Sequence, residues 1–172
     1  MEEIILVDEN DNEIGFMEKL EAHQDGGRLH RCFSIFVFNS EGKMLLQKRA
    51  KVKYHFGELW ANTCCSHPNK GEETDVAVHR KLMQEFGFDT ELKEVFTFIY
   101  KAYDAGSQLT EHEFDHVFIG TFDGEPKPNP EEIGEYDWVE INWLKKDVQE
   151  NPSKYSPWFK IALDKVLKHL EK

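Results

Sequence analysis

A mixed α/β sandwich, a mixed β-sheet with flanking helices in the broad α+β class, is the fold this sequence predicts. Three observations lead to it. Strand-like apolar runs recur from Ile4 to Ile141. Helix grammar is clear in two places, one between strands and one at the end. Strands and helices therefore do not alternate regularly, which speaks against a doubly wound sheet. A chain of 172 residues suits one core, so residues 1–172 are expected to form a single domain.

Ile4 to Val7 and Glu13 to Glu18 read as two short strands around the turn Asp8-Glu9-Asn10-Asp11. Cys32 to Phe38 (CFSIFVF) is apolar enough for a buried strand. The turn Asn39-Ser40-Glu41-Gly42 then leads into Lys43 to Arg49, so the pair reads as a hairpin. Thr74 suits the N-cap of a helix running to Phe86 and closed by Gly87. Strands are expected at Leu92 to Lys101, Glu113 to Phe122 and Glu135 to Ile141, with Gly124 to Pro130 as a loop. Pro157 suits the first turn of a last helix, with Phe159, Leu163, Val166 and Leu170 on one face.

Hydrophobic residues make up 40% and charged residues 31%, the balance of an ordinary globular chain. The formal net charge of −12 argues against nucleic acid and anionic membrane as partners, because both need a positive field. No apolar run approaches the roughly 18 to 20 residues of a membrane span. MEEIILVDEN does not read as a targeting segment. Three cysteines, two of them adjacent, make a poor disulfide framework and point to a reducing, cytoplasmic setting. An anionic substrate would need a local basic pocket set in this acidic surface.

Two constellations stand out. Arg80-Lys81-Leu82-Met83-Gln84-Glu85-Phe86-Gly87-Phe88, with Glu72 eight residues before Arg80, resembles the end of the Nudix box. Lys81 and Gln84 replace two helical glutamates of that box, and Ser66 stands where it usually starts with Gly. Only Glu85 is left at the core of a carboxylate cluster that would hold hard divalent ions. Spacing alone also fits an amphipathic helix with a solvated charged face. The second constellation is His23, His30, His67, Glu111 and Glu113. The two glutamates are two apart on a strand and so share a face, and imidazole with carboxylate suits a borderline divalent ion. His55, His79, His112, His116 and His169 read as surface or hydrogen-bonded histidines.

The motifs RLHR (28–31), KYHF (53–56), LWANTCCSHP (59–68), EHEFDHV (111–117) and YSPWF (155–159) occur in that order. Together they resemble the type 1 isopentenyl-diphosphate Δ-isomerases, a Nudix-fold family, from about Lys19 to Trp158. The resemblance implies interconversion of isopentenyl and dimethylallyl diphosphate through a tertiary carbocation; a Nudix diphosphohydrolase acting on a nucleotide or prenyl diphosphate is the alternative. It implies Cys65 and Glu113 as the acid/base pair, with Tyr100 close to the acid and Trp158 lending its π face to the cation. It places Lys19, Arg49 and Lys53 on the diphosphate, with Lys81 and Ser66 completing that set. His23, His30, His67, Glu111 and Glu113 would hold Mn²⁺ or Zn²⁺, and Glu85 a Mg²⁺ bridging to the phosphates. The implied partner is a small prenyl diphosphate, and the chain is expected to be a monomer or weak homodimer.

Overall fold

Both faces of the strand CFSIFVF are apolar because both faces of the sheet are covered. The computed structural model describes residues 1–172. Its strands are β1 (Glu3–Val7), β2 (Glu13–Glu18), β3 (His30–Phe38), β4 (Met44–Arg49), β5 (Trp60–Ala61), β6 (Cys64–Ser66), β7 (Leu92–Asp104), β8 (Leu109–Thr121) and β9 (Ile133–Val139). Its helices are α1 (Lys19–Ala22), α2 (Thr74–Phe86), α3 (Ile141–Glu150) and α4 (Pro157–Leu170). Phe33, Ile35 and Val37 of β3 pack with Val78, Leu82 and Phe86 of α2. Phe36 and Phe38, alternating with them, pack with Leu144 of α3 and with Phe159, Leu163 and Val166 of α4. The sheet is thus a mixed layer between α2 on one side and α3 with α4 on the other.

Register decides which side chains meet. β3 runs parallel to β8, with His30 opposite Glu113 and Cys32 opposite Asp115. β8 runs antiparallel to β7, with Tyr100 opposite Glu113. His30, Glu113 and Tyr100 therefore lie in one row across three strands. On its other edge β3 pairs with β6, which sets Cys65 opposite Ser34.

The expected hairpin of β3 and β4 is reduced to one pair, Phe38 with Met44. Beyond that point β3 commits to β8 and β6 while β4 commits to β5 and β9, so the two strands splay. The last strand lies two residues earlier than the pattern suggested, because Glu140 caps α3. Its carboxylate accepts from Asn142 N–H at 3.0 Å and Trp143 N–H at 2.8 Å. Glu73, not Thr74, occupies the cap position of α2, and no side chain bonds there. Gly87 closes that helix at φ 68°, donating to the Met83 carbonyl at 3.0 Å. Leu170 is exposed, whereas Phe159, Leu163 and Val166 are buried as expected. No helix is long and apolar enough to cross a membrane.

Candidate active site and metal centre

The segment Asn62 to His67 turns along β6 and distributes its side chains to different surroundings. Thr63 Oγ donates to the Leu45 carbonyl at 2.7 Å and accepts from Val37 N–H at 2.9 Å. Asn62 Nδ2 donates to the carbonyls of Cys64 at 2.8 Å and Ile35 at 3.2 Å, and its Oδ1 accepts from Trp158 Nε1 at 3.1 Å. Asn62 thus ties the turn to the first residues of α4. Cys64 faces the core under α2 and is fully buried. Cys65, one residue on, points the other way into a cavity of about 120 Å³. Ser66 and His67 share that cavity wall.

Imidazoles and carboxylates converge at one end of the cavity. One ligand atom from each of His23, His30, His67, Glu111 and Glu113 lies within 4.8 Å of all the others, and all five residues are buried. His23 Nε2 lies 3.1 Å from Glu111 Oε2. His30 Nε2 and His67 Nε2 are 3.1 Å apart and lie 3.3 and 2.7 Å from Glu113 Oε1. The outer nitrogens define the chemistry. His23 Nδ1 meets the Lys19 carbonyl at 2.6 Å and His30 Nδ1 meets the Arg28 carbonyl at 2.7 Å. A carbonyl only accepts, so in both rings Nδ1 carries the proton. With Nδ1 held by a carbonyl, each ring turns Nε2 toward a carboxylate oxygen, an arrangement that also suits a cation between them. Backbone-anchored imidazoles facing carboxylates fit a divalent metal.

Burial works to lower the His23 imidazole, but the hydrogen bond and charge of Glu111 outweigh it and raise it. Burial pushes the His67 imidazole down to about 4, so it is neutral at neutral pH. Burial also works to raise Glu113, but hydrogen bonding and charge from His30 and His67 outweigh it and hold the carboxyl well below its usual range. Tyr100 hydroxyl bonds the other Glu113 oxygen. Burial pushes the Cys65 thiol up to about 12, with Arg49 opposing from 3.9 Å. The cavity therefore opposes a protonated thiol to an ionised carboxylate.

Trp158 lines the cavity beside Tyr100, their rings 6.4 Å apart, and the Arg49 guanidinium carbon sits 5.2 Å from the indole centre. Lys19, Lys53 and Lys81 line the same cavity and answer the need for local positive charge. Each has a carboxylate partner: Lys19 meets Glu2 at 3.3 Å, Lys81 meets Glu85 at 3.3 Å, and Lys53 pairs with Glu132. Glu85 is buried on the α2 side and also accepts from Gln47 Nε2 at 3.2 Å. It belongs to the cavity wall and not to the His/Glu group. Glu72, eight residues before Arg80, receives two bonds from that guanidinium at 2.6 and 2.7 Å.

The catalytic, diphosphate and metal candidates named from the sequence thus border the cavity or sit in the His/Glu group, whereas Glu72, Arg80 and Gln84 do not. Sequence reasoning missed Glu2, Glu132 and Asn62. It also read His55 as unremarkable, whereas that imidazole is buried, lines the cavity and bonds Glu111. The KYHF motif held the signal, since it sits between Arg49 and the NTCCSHP turn. By contrast, His79 is at the surface with Asp89, in keeping with its ordinary reading.

The fold and this site define a NUDIX-class protein, and the NUDIX domain family matches residues 28–159. Among solved structures, DR0079 from Deinococcus radiodurans superposes with a TM-score of 0.72 at 21% identity, covering 87% of this chain and 90% of that one. That likeness concerns fold alone. "Isopentenyl-diphosphate Delta-isomerase 2" of Aromatoleum aromaticum is 51% identical across 96% of this chain and 87% of its own length. "Isopentenyl-diphosphate Delta-isomerase" of Serratia proteamaculans is 49% identical across 92% and 87%. The chain belongs to the isopentenyl-diphosphate Delta-isomerase family.

Proposed function

We propose that the chain interconverts isopentenyl and dimethylallyl diphosphate by adding a proton to the terminal alkene carbon and removing one from the neighbouring allylic carbon. The observation that carries this reading is one cavity in which a protonated thiol, Cys65, and an ionised carboxylate, Glu113, border the same space beside the Trp158 indole. Proton addition leaves a tertiary cation, and loss of the allylic proton moves the double bond. Cys65 and Glu113 are the two ends of that exchange, and Tyr100 holds the Glu113 carboxyl in place. The faces of Trp158 and Tyr100 stabilise the cation, an attraction worth about 2 kcal/mol or more when desolvated. The buried aromatic wall also keeps out water, which would trap it.

Lys19, Arg49, Lys53 and Lys81, with Ser66, bind the diphosphate. The carboxylates now on three of these cations, Glu2, Glu132 and Glu85, hold them until the substrate's oxygens take over. His23, His30, His67, Glu111 and Glu113 would hold Mn²⁺ or Zn²⁺, whose positive charge would make the Glu113 carboxyl a stronger acid when protonated. Glu85 would hold a Mg²⁺, which would supply positive charge for the diphosphate. We assign the chain to a cytoplasmic setting, as one domain that works as a monomer or weak homodimer on a small prenyl diphosphate and without nucleic acid. Incubation with isopentenyl diphosphate and Mg²⁺ tests the reading. Dimethylallyl diphosphate should form with no phosphate released, and release of phosphate or pyrophosphate would instead indicate a hydrolase.

A further inference from the structure

The loop between β4 and β5 is held against the metal centre by contacts that converge on one imidazole. Arg49 donates to the carbonyls of His55 at 3.2 Å and Phe56 at 3.1 Å. Asp104 accepts from Phe56 N–H at 3.1 Å, tying the loop to the end of β7. Tyr54 stacks on the His55 ring at 4.3 Å. Held this way, His55 Nε2 bonds Glu111 Oε1, while His23 faces the other oxygen of the same carboxylate. A carboxylate oxygen only accepts, so Nε2 is the protonated nitrogen of His55. His55 is 5% exposed, its Nδ1 has no partner, and the residue is not among the five whose ligand atoms cluster. Its ring centroid lies 5.3 Å from that of His23, and the two imidazoles meet different oxygens of Glu111.

We infer that His55 is a positioning residue for the metal centre: its Nε2–H fixes one oxygen of Glu111 so that the other is presented to the cation. A carboxylate with both oxygens free can rotate or chelate, which changes the number of sites left on the ion. Outer partners of metal ligands are worth about 10- to 100-fold in metal affinity. The inference rests on the metal centre proposed above, and the following experiment separates the two.

The chelator-stripped protein is titrated with Mn²⁺ against a chromophoric chelator, and the spin-resonance spectrum of the bound ion is recorded. His55→Leu keeps bulk but has no donor, and His55→Gln restores an N–H. His79→Ala serves as a surface control. His55→Leu should bind Mn²⁺ about 10- to 100-fold more weakly with an altered spectrum. His55→Gln should recover most of the affinity, and His79→Ala should match the unaltered protein. Equal affinity and spectrum in His55→Leu overturn the inference while leaving the metal centre intact. Equal losses in His55→Leu and His55→Gln, in variants that melt as the parent does, also overturn it and make His55 a direct ligand. If the unaltered protein binds no Mn²⁺, the metal centre itself fails and the inference with it.

Discussion

At the residue scale, adjacency in sequence means opposition in space. Cys64 and Cys65 are neighbours on β6, yet one packs under α2 and the other opens to the cavity. Cys65→Ala should lower turnover about 10²- to 10⁴-fold, the usual contribution of a positioned acid or base, while the melting temperature barely moves. Cys64→Ala should keep turnover and lose about 1–2 kcal/mol of stability by denaturant unfolding. Equal activity of the two variants would contradict the assignment. Cys65, His30, His67, Glu111, Glu113, Lys53 and Lys81 were legible because each belongs to a motif with its own spacing, whereas Lys19, His23 and Arg49 came only from the family resemblance. Glu2, Glu132 and Asn62 were not, since an isolated glutamate or asparagine acquires its meaning only when folding supplies a distant lysine or indole. His55 was discounted as a lone histidine, and only the contact with Glu111, fifty-six residues away, reveals it.

At the element scale, two short segments hold the site in shape. The loop from His23 to His30 turns through Gly27 at φ 73°, where an added Cβ would meet the Thr110 carbonyl oxygen at 2.8 Å. Gly27→Ala combines an unfavourable left-handed backbone with that clash. It should cost about 2 kcal/mol and weaken metal binding, because His23 and His30 flank the turn. Calorimetric unfolding and a metal titration check both effects. Glu72 and Arg80 brace the entry to α2, and the Arg80 hydrogen bonds hold the Glu72 carboxyl below its usual value. A lowered carboxyl stabilises the fold at pH above the unfolded value, about 4.5, and that contribution fades as pH falls through the lower folded value. Glu72→Gln should therefore remove part of the acid-side slope of stability. The effect is no more than about 1 kcal/mol, since the pair is partly exposed and screened. Long strands and the helix closed by Gly87 were visible from pattern. The two- and three-residue strands β5 and β6 and the one-turn α1 were not, because tertiary pairing and not local periodicity defines them.

At the scale of the whole molecule, an acidic protein with a net charge of −12 sets four of its 21 lysines and arginines, Lys19, Arg49, Lys53 and Lys81, around one cavity with buried carboxylates and imidazoles beside them. A preformed cluster of this kind is costly without an ion and stabilising with one. Chelation should lower the melting temperature, and adding a divalent ion at a hundred times its Kd should restore about 2.7 kcal/mol. No change on chelation would count against a resident metal. Fold class could be read from the sequence because alternation and caps are local. The splaying of β3 from β4 could not, since it follows from β3 preferring the parallel edge of β8.

The central claim, proton exchange between Cys65, Glu113 and a C5 diphosphate, is tested most directly in deuterated water. Isopentenyl diphosphate, Mg²⁺ and the protein are incubated there, and the products are read by NMR and by phosphate assay. Dimethylallyl diphosphate should carry solvent deuterium in a methyl group, with the diphosphate intact. Product formed without deuterium, or diphosphate cleaved, would contradict it.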